Sequence, residues 1–246
     1  MRVTEGMPPV DFTVVLDGPT GAFWGERCEK GCSFQPGETL HSLHPQQVWF
    51  ISALFLEAEV HRMKELDLGP GCYGELYVEV IYRYEGGEGS FRGCTTKLPQ
   101  ALQAAVGALQ GLLEGRLPLV VDPETRPDRW PQDPFALLEA EVSGGFLKVQ
   151  VSYAGGCNPH EFQGVAWGGW MGSDPVQIKV FLSHDSFDDP CLAVITEARS
   201  FDLEPLKRAY RLSYGVGSPG ATTLVIQLEN HTGDGPPLQR SMEVRF

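Results

Sequence analysis

The sequence predicts an α+β chain. A mixed N-terminal α+β domain with two helices and a β-hairpin precedes a mostly antiparallel β-sandwich or barrel-like domain. Three observations predict this. Two segments of the first half repeat apolar residues at helical spacing. The second half instead strings together short β-rich runs with turn clusters every 8–15 residues. Between them, Pro118, Pro123, Pro127, Pro131 and Pro134 fall within one short stretch. Each proline removes a backbone donor and restricts its predecessor, so neither a helix nor a central strand fits there. The expected boundaries are 1–117 for the α+β domain, 118–134 for a Pro-rich connector pinned by Trp130, and 135–246 for the β domain.

In the first half, Asp11 to Leu16 alternates as a strand, and Asp17-Gly18-Pro19 turns it toward a short strand at Phe23-Trp24. Pro45 to Leu66 carries Val48, Ile51, Phe55, Ala58 and Val60 on a helical repeat, with Pro45 at a first helical position and Gly69-Pro70 as the stop. Tyr73–Tyr84 and Ser90–Lys97 flank a glycine-rich hairpin turn, read as centred on Gly86-Gly87. Pro99 to Glu114 is an amphipathic helix closed by Gly115. In the second half the expected strands are 135–142, 146–153, 160–167, 176–183, 192–197, 210–214, 222–229 and 242–246. No fixed-period repeat appears.

Composition excludes several function classes. The 246 residues are 42% hydrophobic, too apolar for a disordered chain, and the formal charge of −13 has the wrong sign for nucleic acid or an anionic membrane. The charge is even: residues 1–118 carry 9 basic and 15 acidic side chains, residues 119–246 carry 10 and 17. Read this way, it signals solubility rather than a partner. No signal peptide or membrane span is legible, so cytoplasm is the default location, and an extracytoplasmic one applies if a leader has been removed. Phosphate loops, nucleophile elbows, zincin helices and dinucleotide fingerprints are all absent.

Six cysteines stand at 28, 32, 72, 94, 157 and 191. Cys28 and Cys32 have ligand-like spacing but no evident partners, and read as a loop disulfide or plain thiols. With the hairpin register above, Cys94 faces Glu79, and Cys72 lies roughly 23 Å further along, out of disulfide reach. His41 and His44 read as loop or capping residues; His61 and His231 have no companions.

The second half holds the better cluster. Cys157 and His160 follow one predicted strand, and His184 and Cys191 follow another. In an up-and-down meander both motifs land on one rim. Three chemistries suit them: a Cys157–Cys191 disulfide or structural thiol pair, tetrahedral zinc on Cys157, His160, His184 and Cys191, or a thiol nucleophile beside an imidazole. Asp185, Asp188 and Asp189 read as a solvated turn rather than a calcium loop.

The run Gly155-Gly156-Cys157-x-x-His160-x-Phe162, with His184-Asp185, Asp189-Pro190-Cys191 and Phe201-Asp202-Leu203-x-Pro205-Leu206, resembles a pattern in uncharacterised bacterial β-rich domains often found on lipoproteins. The resemblance covers residues 155–206 and implies no activity. It implies a disulfide between the two cysteines, as in exported proteins.

The first expectation for function is therefore a non-catalytic binding protein for a protein or small-molecule ligand, with no nucleic acid, membrane or cofactor. Its contact residues would be Trp167 and Trp170, set among glycines; the competing reading places both in the core. A Cys2His2-type zinc protein is the second expectation, and a thiol enzyme the third.

Overall fold

The computed structural model describes residues 2–5, 10–16, 22–28, 39–59, 66–67, 76–84, 87–94, 98–215, 223–230 and 238–245. It is an α+β protein with a large β content. Backbone contacts divide the chain into two compact units, Met1–Glu114 and Gly115–Phe246.

Among the described residues the first unit contains seven strands: β1 (Arg2–Glu5), β2 (Val10–Leu16), β3 (Ala22–Cys28), β4 (Thr39–Ser42), β5 (Leu66–Asp67), β6 (Leu76–Tyr84) and β7 (Gly87–Cys94). They form one sheet in the order β4-β3-β2-β1-β6-β7-β5. The β6–β7 hairpin pairs Tyr84 with Gly87, so Cys94 faces Tyr77 and not Glu79. Adjacent glycines at 86 and 87 look alike in sequence, and the turn falls one residue earlier than expected. The pairing therefore shifts by two residues.

Helix α1 (Pro45–Glu57) begins where His44 caps it: its Nδ1 accepts the Gln46 N–H at 3.3 Å, and the Gln47 side chain accepts the His44 N–H at 2.9 Å. Val48, Phe50, Ile51 and Leu54 form its buried face. The helix stops at Ala58, with Glu59 left-handed at φ 51°, well short of the expected Leu66. Helix α2 (Gln100–Leu113) buries Leu102, Ala105, Val106, Leu109 and Leu112, the stripe its sequence spells out. His61, Cys32, Cys72 and His231 lie outside the described residues.

Among the described residues the second unit holds two sheets. One runs β10 (Ala136–Ser143), β11 (Phe146–Gly155), β14 (Ala193–Asp202), β8 (Arg116–Pro118). The other runs β16 (Leu238–Arg245), β15 (Thr223–Asn230), β13 (Val176–Asp185), β12 (Glu161–Met171), β9 (Val120–Val121). The sheets are mixed rather than antiparallel: β8 joins β14, β9 joins β12 and β15 joins β13, all in parallel. The last pairing follows from helix α3 (Glu204–Tyr214), since parallel neighbours need a crossover connection. Residues 210–214, expected as a strand, are the end of this helix. Pro205 pre-sets its first turn, the Asp202 carboxylate accepts the Glu204 N–H at 2.9 Å, and Leu206 and Tyr210 are buried one turn apart.

The proline-rich segment lies in the second unit. It supplies β9, a 3-10 turn at Pro127–Arg129 and a bridge from Gln132 to His184. Trp130 packs edge-on against Phe181 and donates its indole N–H to Thr125 at 2.9 Å. Side chains of the two sheets also meet. A Cβ on Gly164 of β12 would stand 2.8 Å from Leu119 Cδ1 and 3.0 Å from the Phe201 ring of β14, so a methyl there would press on both side chains.

Candidate functional site

The chain passes from one sheet to the other between β11 and β12 and returns between β13 and β14. A simple meander is thus not the reason the two motifs meet. They meet because β11 pairs with β14, setting Gly155 opposite Ala193, while β12 pairs with β13, setting Glu161 opposite Asp185. Both pairings end at one rim, and the proline-rich segment reaches it as well: Asp133 donates its N–H to the His184 carbonyl at 3.0 Å, and the Asp133 carboxylate accepts the Ser186 N–H at 2.7 Å.

At this rim Cys157 and Cys191 are joined as a disulfide, with Cα atoms 5.7 Å apart. Asp189 sits behind the bond. Its Oδ2 accepts the consecutive N–H groups of Gly156, Cys157 and Asn158 at 2.8, 2.9 and 3.0 Å, and its Oδ1 accepts that of Cys191 at 2.8 Å. The bond from Asn158, with those from Cys191 and Cys157, holds the carboxyl far below the usual carboxylate range. His160 Nε2 stands 3.2 Å from the same Oδ2. Gly155 makes this approach feasible, since a Cβ there would lie 2.7 Å from His160 Cε1.

His160 and His184 form a buried pair, Nδ1 of the first 2.9 Å from Nε2 of the second. Proton bookkeeping constrains them. The Asp133 carbonyl, 3.1 Å from His184 Nδ1, can only accept, and so can the Asp189 carboxylate. The inner bond needs one ring to donate and the other to accept, so a proton on His184 Nε2 as well as on His160 Nδ1 would set two N–H groups against each other. Burial, which pushes the His184 pKa down, acts against that arrangement.

Aromatic rings enclose the pair. Tyr153 stacks on His160 at 4.4 Å and Phe162 on His184 at 4.2 Å. Burial, reinforced by the hydrogen bond Tyr153 donates to Glu197 at 2.9 Å, moves the phenol up to about 12. Glu197 in turn pairs with Arg199, whose guanidinium lies 5.4 Å from the Phe162 ring centre.

Above these locks runs the 185–191 loop. Phe187 and Asp188 take left-handed conformations, φ 49° and 53°, which a bulky aromatic rarely adopts. The Asp185 carboxylate accepts the Phe187 N–H at 2.9 Å, and Asp189 donates its N–H to the Ser186 carbonyl at 3.1 Å. Phe187 is 49% exposed, Leu192 85% and Val194 79%. Three of the eight large apolar side chains exposed among the described residues thus fall within eight positions of each other.

No protein-family model matches the chain, and no curated protein matches it. Solved structures do overlap with it. A NigD-like immunity protein from Bacteroides caccae is 13% identical, with 74% of this chain and 84% of that one covered at a TM-score of 0.41. A protein of unknown function from Bacteroides vulgatus is 10% identical, with 74% and 76% covered at 0.36. An uncharacterised protein from Parabacteroides merdae is 8% identical, with 72% and 85% covered at 0.32. Overlaps this loose carry no argument about function.

The expected site residues fare differently. Cys157, His160, His184 and Cys191 do come together, but with each other as partners: sulfur with sulfur, imidazole with imidazole. Cys157, Asp189 and Cys191 keep their ligand atoms within 4.8 Å of one another, with the two sulfurs joined in the disulfide. Of the three aspartates of the turn, Asp189 and Asp185 accept backbone N–H groups and Asp188 is exposed. Trp167 and Trp170 are both half-buried. Trp167 packs on the Val120, Val165 and Phe181 core beneath Lys179 Nζ. Trp170 lies edge-on to Tyr210 and Tyr214 and donates to Ser213 at 3.0 Å. Sequence reasoning missed Asp189 as the hub and Phe187 as the exposed tip; the only available signal was Asp189-Pro190-Cys191, a carboxylate two residues from a cysteine.

Proposed function

We propose that this chain is a non-catalytic binding protein whose contact surface is the rim carrying Phe187, Leu192 and Val194. The observation that carries the reading is a strained, half-exposed Phe187 on a loop fastened from three sides. Left-handed non-glycine residues cost free energy and persist where the surroundings hold them, often at sites of contact. A loop ordered before binding loses little entropy when a partner arrives, so the fastening favours affinity. Bulky apolar side chains held out in water are what protein interfaces use as anchors.

The same geometry speaks against a thiol enzyme: the sulfurs are paired, and the Asp189 carboxylate beside them disfavours the thiolate such chemistry requires. A persistent disulfide also favours an oxidising compartment. Among the described residues no helix is long and apolar enough to cross a membrane. The test is site-specific photocrosslinking in the source cells, with a photoreactive phenylalanine analogue at Phe187 and, as control, at exposed Glu141 on β10. The reading expects one discrete cross-linked protein from position 187 alone. Equal or no products from both positions would refute it.

A further inference from the structure

The rim has a charge asymmetry that the linear sequence hides. The second unit, residues 115–246, contains 11 Lys and Arg against 17 Asp and Glu. Three segments build the rim, 131–134, 153–161 and 184–194, 24 residues in all. They contain Asp133, Glu161, Asp185, Asp188 and Asp189, and no Lys or Arg. The other 108 residues of the unit hold 11 basic and 12 acidic side chains. Most of the net charge of the unit therefore sits where its fastened apolar residues project. Asp188 is exposed, and Asp133, Glu161 and Asp185 are partly so.

Resting on the binding reading above, we infer that the partner of this rim is a cationic protein segment with an apolar anchor. Phe187, Leu192 and Val194 supply the apolar contact, and the ring of carboxylates selects Lys- and Arg-bearing surfaces and repels acidic ones. Charge around an apolar centre acts chiefly on encounter rate and partner choice, through a field that salt screens.

The test uses the full chain and two probes, a short amphipathic Lys/Leu peptide and its Glu/Leu counterpart. Binding is followed by fluorescence anisotropy at about 20 mM and about 300 mM NaCl, between which the screening length falls severalfold. Three variants are compared with the parent: Glu161→Gln/Asp185→Asn/Asp188→Asn on the rim, Glu124→Gln/Glu139→Gln/Glu141→Gln elsewhere with the same change in net charge, and Phe187→Ser/Leu192→Ser. The Lys/Leu peptide should bind the parent, and the Glu/Leu peptide should not. The rim charge variant should weaken binding roughly tenfold at low salt and flatten its salt dependence, while the control changes it by less than about twofold. The apolar variant should weaken binding with the salt dependence intact.

Equal losses from the two charge variants would overturn the inference, since total charge alone would explain them. So would a parent that binds neither peptide or both alike. Loss from the apolar variant with none from the rim charge variant would leave the binding surface standing and remove the cationic partner. No loss from the rim charge variant or the apolar variant would remove both.

Discussion

Removing the Cys157–Cys191 bond tests how the rim is held together. The bond closes a loop with a sequence separation of 34. Loop closure of that length restricts the unfolded chain by an entropy worth about 4 kcal/mol at room temperature, and measured values cluster at about 2–4 kcal/mol. Cys157→Ser/Cys191→Ser should lower the stability of the second unit by about that amount. It should also raise its urea m-value, because the unfolded chain, no longer looped, exposes more surface. The assay is urea unfolding without reductant, which leaves the other four cysteines unchanged. Tryptophan fluorescence reads Trp130, Trp167 and Trp170 of the second unit together with Trp24 and Trp49 of the first, so hydrogen exchange assigns the transition to the second unit. Because Asp189 still binds Gly156, Cys157 and Asn158 through their backbone N–H groups, the folded rim should survive in the variant. Hydrogen exchange at 156–158 should remain slow relative to exposed amides. A loss below about 1 kcal/mol would refute the loop-closure reasoning. Fast exchange at 156–158 in an otherwise folded variant would show that the sulfurs, rather than Asp189, organise the loop.

Gly155→Ala should cost about 1–3 kcal/mol, because its methyl group would overlap the His160 ring. In a His160→Ala background the same change should cost less than half as much, and a double-mutant cycle measures the difference. Acid should also weaken the second unit: burial lowers the His184 pKa in the fold, so the unfolded chain takes up the proton first. The stability is fully present above about pH 6.5, the ordinary histidine value, and falls as pH drops below it. His184→Phe should remove that decline, read as the difference in urea midpoint between pH 7 and pH 5. Elemental analysis of untagged, oxidised protein should return well under one equivalent of zinc; one full equivalent, lost in His184→Ala, would reinstate the Cys2His2 site.

What the sequence made legible was local. The stripe of α2, the cap of α1, the hairpin and most strands of the second unit follow from periodicity and turn residues, because each depends on neighbours along the chain. Tyr210–Tyr214 misled because aromatic residues suit strands on propensity alone. The helix is decided by Pro205, the Asp202 side chain and burial of Leu206 and Tyr210, whose apolar partners come from distant segments. The rim was half legible. Its two cysteines and two histidines were found together, but on the premise of a meander that the chain does not follow. Their assignment to sulfur–sulfur and ring–ring partners depended on distances of tenths of a nanometre. Charge failed for a related reason. Averaging over halves gave −6 and −7, while the fold gathers five carboxylates from three separated segments onto one end.

The position of the disulfide gives the second unit an unusual covalent topology. β11 and β14 are hydrogen-bonded neighbours, and everything between Cys157 and Cys191, including the whole β12–β13 hairpin, is an excursion clipped at its base. A protease that cuts the exposed turn around Gly172 and Asp174 would create two new ends without releasing a fragment. Each half of the hairpin would still be moored, one through Cys157 and the other through Cys191. The oxidised protein thus tolerates a break in its main chain at that turn and travels as one molecule, and only reduction would let the two pieces part.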